Sequence, residues 1–223
     1  IILEKFYSVN FKFDIKQFDD LITYLIVSLI IGGRLGYVIF YNFQFYLSNP
    51  LQIFKIWEGG MSFHGALIGI VIGTYIFSIK KNIKLLFLLD IIACVSPIGI
   101  FFGRIANFIN SELVGKITNV YWGVIFPKID SMTRHPSQLY EAFLEGMILF
   151  FIMKFLLSKH NYKIGTCSSF FLIFYGMFRI FSEFFRQPDI QVGYIFGTIS
   201  MGMLLSAIMI LSGFILYLKK NDS

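Results

Sequence analysis

Long apolar runs separated by short polar connectors dominate the chain, and six of them match the length of a membrane span. They cover roughly 20–43, 61–79, 85–108, 138–157, 165–183 and 194–218. A helix crossing a hydrocarbon core of about 30 Å needs roughly 20 residues. With no water in the bilayer each run must satisfy its own backbone, so the helix is the default. The pattern predicts an all-α polytopic membrane protein of about six transmembrane helices. The one large non-apolar stretch, 109–137, holds Pro127, Pro136 and several polar residues. It reads as a small extracytoplasmic cap inserted into a single transmembrane domain over 1–223.

The connectors carry a charge pattern. Segments 80–84, 158–164 and 219–223 are short and lysine-rich, and residues 1–17 add Lys5, Lys12 and Lys16. Six alternating spans bring all four segments to one side, which the positive-inside rule makes cytoplasmic. Glycines recur at helical spacing: Gly65, Gly69 and Gly73; Gly99 and Gly103; Gly193 and Gly197. Small residues four apart let membrane helices approach closely, so packing is their expected role.

Composition agrees. Hydrophobic residues make up 57% of the 223 and charged residues 14%, against roughly 45–50% and about 25% in soluble domains. Mean hydropathy is +0.73. The net charge of +6 and pI of about 9.2 raise nucleic acid as a partner. Lysines clustered between apolar runs, with no continuous basic face, fit a topology signal instead. Cys94 and Cys167 lie in or beside apolar runs without metal or disulfide spacing and read as packing residues. The chain starts at Ile1 without a charged n-region and short h-region, so no cleavable signal peptide is expected.

The five arginines, Arg34, Arg104, Arg134, Arg179 and Arg186, avoid all four lysine-rich segments and fall within spans or toward the outer face. A guanidinium pairs its hydrogen bonds with phosphate or carboxylate and keeps its charge in low dielectric, whereas lysine is a point charge. Arginine inside a membrane costs roughly 2.5 kcal/mol or more, so it faces a cavity or a partner. Tyr175, Arg179, Glu183 and Arg186 stand at i, i+4, i+8 and i+11, within an arc of roughly 80° on one helix. Arg34, Tyr37 and Tyr41 share another face. Such faces line a cavity or bind each other; a purely structural ion-pair network of Glu183 with Arg179 and Arg186 is the plain alternative. That alternative does not account for Arg104, Asn107, Glu112 and His64 at the same membrane level.

His64 follows Glu58-Gly59-Gly60-Met61-Ser62-Phe63 at the outer start of a span. It is either a hydrogen-bonded core residue or a general base, the usual work of neutral imidazole near pH 7. Asp90 and Glu145 are further intramembrane carboxylates without an assigned role, and Glu141 sits where it would orient the cap.

Four blocks, GGMSFHGALIG (59–69), GRIANFINSELVG (103–115), RHPSQLYE (134–141) and YGMFRIFSEFFRQPD (175–189), resemble the bacterial prolipoprotein diacylglyceryl transferases. GGRLGYVIFYN (32–42) and ISMGMLLS (199–206) fit as well, and the blocks follow the family's order across most of the chain. The resemblance implies transfer of diacylglyceryl from phosphatidylglycerol to the lipobox cysteine of a prolipoprotein signal peptide, with glycerol 1-phosphate leaving. It implies a multi-pass protein of the bacterial inner membrane, active toward the periplasmic side, with membrane lipids as its surroundings. No metal, soluble cofactor or nucleic acid is implied.

Carried over residue by residue, the resemblance makes Arg104 and Arg179 the catalytic arginines and His64 the base. An arginine-centred mechanism is the alternative. Asn107, Glu112 and Gly115 match the signature block around Arg104. Tyr175, Glu183 and Arg186 match a second polar face, and Tyr41 an early tyrosine. All are expected to bind phosphatidylglycerol with the two arginines. Ala66, Ala106 and Ser111 stand where the family usually has glycine. The family also begins with one more transmembrane helix carrying a tyrosine. Its expected absence makes the chain a fragment or a shortened gene product. Against this stand an anion transporter, which calls for polar residues through to the cytoplasmic half, and a lipid phosphatase, which calls for a nucleophile or metal carboxylates. An inactive remnant is the third rival.

Overall fold

The computed structural model describes residues 15–158, 163–187, 194–195 and 199–221. The predicted Gly193 and Gly197 pair and the side chains of Tyr41 and His64 lie outside the described residues. The described chain is mostly helical: α1 (Ile15–Tyr41), α2 (Phe43–Ser48), two 3-10 turns (Pro50–Phe54 and Ile56–Glu58), α3 (Phe63–Lys81) and α4 (Leu85–Asn110). Then come the strands β1 (Val124–Ile125) and β2 (Thr133–Arg134), α5 (Ser137–Glu141), a π-helical segment (Ala142–Ile148) and α6 (Leu149–Ser158). The last elements are α7 (Thr166–Glu183), β3 (Tyr194–Ile195), β4 (Ile199–Ser200) and α8 (Met201–Asn221). Among the described residues, three helical stretches, Lys16–Ile39, Leu85–Asn110 and Gly202–Lys219, are long and apolar enough to cross a membrane.

The chain divides into two compact units, one ending at Leu89 and one starting at Asp90. In the first, α1 lies along α3 on a seam of small residues. A Cβ added at Gly65 would meet Gly32 and Gly36, one at Gly69 would meet Ser28 and Gly32, and one at Gly73 would meet Ser28. Helices joined in this way gain dispersion contacts that larger side chains would prevent. Helix α3 starts at Ser62, whose side chain accepts the Gly65 N–H at 3.2 Å, and ends at Asn82 in the left-handed region. At that end Lys81 pairs with Asp20 at 2.6 Å, and Lys80 donates to the Tyr24 hydroxyl at 2.9 Å.

In the second unit α7 packs on α8, and Leu149, Met153, Leu156 and Tyr175 form an apolar cluster joined by Ile100, Phe171 and Met209. Asp90, fully buried, accepts the Gly165 N–H at 2.6 Å and both the N–H and hydroxyl of Ser168 at 2.7 and 2.6 Å. It thereby serves the unsatisfied N-terminus of α7, a role that sequence left blank. Cys94 and Cys167 are buried beside Ala93 and form no disulfide.

Two expectations need correction. The stretch 194–218 is not one helix: β3 and β4 pair antiparallel, Tyr194 with Ser200 and Ile195 with Ile199, and the helix begins at Met201. The hydroxyl of Ser200 accepts the Met203 N–H at 3.2 Å, which fixes that start. The stretch 138–157 is helical throughout, as expected, and widens into the π segment over Ala142–Ile148. Finally, Gly99 and Gly103 do not mark a packing seam, because no described atom lies within 4 Å of a Cβ built at either.

Within 109–137, β1 and β2 pair antiparallel, Val124 with Arg134 and Ile125 with Thr133. Thr118 N–H donates to the Thr133 carbonyl and His135 N–H to that of Lys116, adding a third strand-like edge. Gly115 forms a bridge with Arg186, and Gln187 N–H donates to the Val114 carbonyl.

Candidate active site

The second unit brings three guanidiniums and three carboxylates into one buried cluster. Arg104 comes from α4, Glu141 from the end of α5, Glu145 from the π segment, Arg179 and Glu183 from α7, and Arg186 from the turn after α7. Close approach of α4 at Gly146 sets this up: a Cβ there would meet the Phe101 backbone and Cβ within 2.6–2.8 Å. With no side chain at that point α4 comes in against the π segment. Arg104, nearly one turn beyond Phe101, is carried to the two glutamates.

Arg104 Nε lies 2.9 Å from Glu141 Oε2, and its Nη2 lies 3.3 Å from Glu145 Oε2. Arg179 Nη1 lies 2.7 Å from Glu141 Oε1 and 3.7 Å from Glu145 Oε1, while its Nη2 lies 2.9 Å from Glu183 Oε2. Arg186 Nη1 is 3.9 Å from Glu141 Oε1. The two arginines thus share the same pair of carboxylates. A buried charge is tolerated when it is paired and hydrogen-bonded, and the cluster is formally neutral.

Exposure differs across it. The Glu141 and Glu145 side chains are 1% and 0% exposed, whereas that of Arg104 is 15% exposed. Among the described residues the contacts of Arg104 run through Nε and Nη2, which leaves Nη1 uncommitted within the cluster. Tyr175, one turn before Arg179, is buried in the apolar cluster and stacks on Phe171 at 5.6 Å.

The other expected residues take distinct places. Asn107 donates to Glu112 Oε2 at 2.7 Å, and Gln138 Nε2 donates to the Glu112 carbonyl at 2.5 Å. Gly115 packs against the His135 backbone, and its carbonyl accepts from Arg134 Nη1 at 3.0 Å. Arg186 lies beyond the end of α7 rather than on its face, and it reaches the cluster by its position in the turn.

Two arginines are not part of the cluster. Arg34 is buried and donates to five backbone carbonyls: Ile53 at 2.8 Å, Gly59 at 2.5 Å, Gly60 at 3.1 Å, Gln52 at 2.6 Å and Lys55 at 3.2 Å. Its guanidinium also lies over the Tyr46 ring at 5.2 Å. It organises the 49–60 loop. Arg134 grips Asp130 through Nε and Nη2 at 3.2 and 2.5 Å and donates to Gln187 at 2.7 Å.

Glu141 and Glu145 are the site residues that sequence reasoning missed. Glu141 does not orient the 109–137 segment: Arg134, Ser137 and Gln138 hold it, through Asp130, the Leu113 carbonyl and the Glu112 carbonyl. The available signal was their i, i+4 spacing, which places both on one helix face.

Comparison with known proteins gives a consistent family. The model for the family described as "Prolipoprotein diacylglyceryl transferase" matches residues 2–219. A Rickettsia typhi protein named phosphatidylglycerol–prolipoprotein diacylglyceryl transferase is 53% identical over 223 residues, covering 99% of this chain and 85% of that protein. Proteins of the same name from Rickettsia felis and Rickettsia bellii are 52% and 51% identical, covering 99% and 98% of this chain and 85% and 82% of their own lengths.

Proposed function

The chain belongs to the prolipoprotein diacylglyceryl transferase family and is a transferase of lipoprotein biosynthesis, and on that premise we propose how it performs the transfer. Its relatives' names support phosphatidylglycerol and prolipoprotein as its substrates. The acceptor is the lipobox cysteine of the prolipoprotein signal peptide. Its sulfur attacks the terminal carbon of the diacylglyceryl group. The bond from that carbon to the phosphate oxygen breaks, a thioether forms, and glycerol 1-phosphate leaves with the bonding electron pair.

The phosphodiester carries one negative charge and the departing monoester gains a second, so the step needs cations where charge develops. Arg104 and Arg179 hold the phosphate. The observation that carries this is the pair of guanidiniums fixed by shared carboxylates, with Nη1 of Arg104 uncommitted within the cluster. The thiol proton passes to His64, since the thiolate is the competent nucleophile. Tyr41, Asn107, Glu112, Gly115, Tyr175, Glu183 and Arg186 bind and orient the lipid head group around them. No metal or soluble cofactor takes part.

The six apolar stretches, the last of them starting at Met201, cross the bacterial inner membrane as one transmembrane domain. The lysine-rich connectors face the cytoplasm, and segment 109–137 forms a cap over a periplasmic-side active site. The lysine asymmetry and the confinement of arginine to the other side support this orientation.

The test is direct. Purified chain, phosphatidylglycerol and a lipobox peptide should yield a diacylglyceryl adduct on cysteine by mass spectrometry, and Arg179→Ala should abolish it. An adduct that survives Arg179→Ala, or forms on another residue, would overturn the assignment.

A further inference from the structure

We propose that Glu141 and Glu145 are positioning residues that both aim the Arg104–Arg179 pair and hold down its affinity for the departing phosphate. This rests on the reading above that these arginines bind the lipid phosphate.

The argument starts from charge. Three guanidiniums packed together with nothing to balance them would bind any phosphate tightly, and a product dianion more tightly than a substrate monoanion. Here each cation is matched by a carboxylate: Glu141 and Glu145 both contact Arg104 and Arg179, and Glu183 pairs with Arg179. The glutamates occupy the Nε and Nη2 edge of Arg104. An anion at the Nη1 edge meets the guanidinium at hydrogen-bond distance, with the carboxylates roughly twice as far away. Attraction therefore dominates close in, where the phosphate is oriented. Attraction and repulsion both grow as the leaving group goes from one charge toward two, so each carboxylate charge weakens the hold on the dianion more than on the monoanion.

Geometry points the same way. Glu145 Oε1 and Arg179 Nη1 are 3.7 Å apart, a charge contact rather than a hydrogen bond. Glu145 is entirely buried, in the only π-helical segment among the described residues, beside the close approach at Gly146. Such segments gather at functional sites. A residue placed there only to fill space would not need a charge.

The experiment measures the affinity of the purified full chain for glycerol 1-phosphate, by thermal shift and by competition against phosphatidylglycerol. Glu145→Gln removes one negative charge and keeps the shape. It should tighten glycerol 1-phosphate by about tenfold and lower both kcat and KM, while Glu145→Asp stays near the parent. A merely structural glutamate would weaken the anion and raise KM. Unchanged or weaker binding in Glu145→Gln overturns the proposal. Glu141→Gln takes a charge from the same two arginines and must show the tightening if Glu145→Gln does not fold. If neither folds and Glu145→Asp fails as well, the glutamates are structural and the proposal is overturned. A parent chain whose glycerol 1-phosphate affinity is untouched by Arg104→Ala would instead sink the phosphate assignment itself.

Discussion

Ser200 donates its hydroxyl to Glu183 Oε1 at 3.0 Å while accepting the Met203 N–H. One side chain thus starts α8 and tethers a carboxylate of the arginine cluster. Ser200→Ala removes both contacts. The N-cap is worth about 1 kcal/mol, and a hydrogen bond to a charged group about 1.5–3 kcal/mol. Thermal unfolding in detergent should show a loss of about 2.5–4 kcal/mol from those terms, with transfer activity reduced. Unchanged stability would mean that the helix start and the carboxylate are held by other groups.

Gly69 and Gly99 make opposite predictions from the same substitution. A Cβ at Gly69 would press on Ser28 and Gly32, so Gly69→Ala overpacks the α1–α3 seam and should cost about 1–3 kcal/mol. A Cβ at Gly99 meets nothing within 4 Å, so Gly99→Ala should leave stability unchanged or raise it by up to about 1 kcal/mol, alanine being the better helix former. Paired melting curves decide it. Equal losses would show that the Gly69 seam contributes no specific packing.

The helical stretches and the polar arc on α7 were legible because each is a local, periodic property. Arg179 and Glu183, four apart, do pair. What was not legible depended on tertiary approach. Nothing in the sequence shows that α4 meets the chain at Gly146, so Arg104, Glu141 and Arg179 could not be read as sharing partners. Arg34 looked equivalent to the cluster arginines, yet it binds carbonyls of a loop up to 26 residues away in sequence. Carbonyls carry no side-chain signature. The pairing of β3 with β4 was missed because Tyr194, Ile195, Ile199 and Ser200 also suit an apolar helix.

Asp130 gives the segment 109–137 an acid limit. Its bidentate hydrogen bonds with Arg134 hold the carboxyl below its ordinary 3.8, with burial opposing and the Met132 N–H assisting. A carboxyl whose folded pKa is depressed stabilises the fold above its unfolded value and loses that contribution as pH falls through the folded one. Protection from hydrogen exchange at residues 117–134, taken relative to the intrinsic rate at each pH, should therefore fall below pH 3.8. Asp130→Asn should remove that acid step and leave faster exchange at neutral pH. Protection in the variant that still falls with pH over the same range would assign the acid limit to another group.

Arg104→Lys tests whether the phosphate contact needs a guanidinium or only a charge. Arg104 reaches Glu141 through Nε and Glu145 through Nη2 while Nη1 stays uncommitted, so three edges of one planar group do three jobs. A lysine ammonium is a single point on a flexible stem. In this site it would settle on one carboxylate and present no fixed donor to the phosphate. Charge is kept, so the neutral cluster should still fold, with a melting temperature near that of the parent. Initial rates with phosphatidylglycerol and a lipobox peptide should fall by about 10²–10³-fold, the loss typical of removing a donor aimed at developing negative charge. A lysine variant that folds and turns over near the parent rate would show that charge alone suffices, and that the shared-carboxylate geometry does not aim the leaving group.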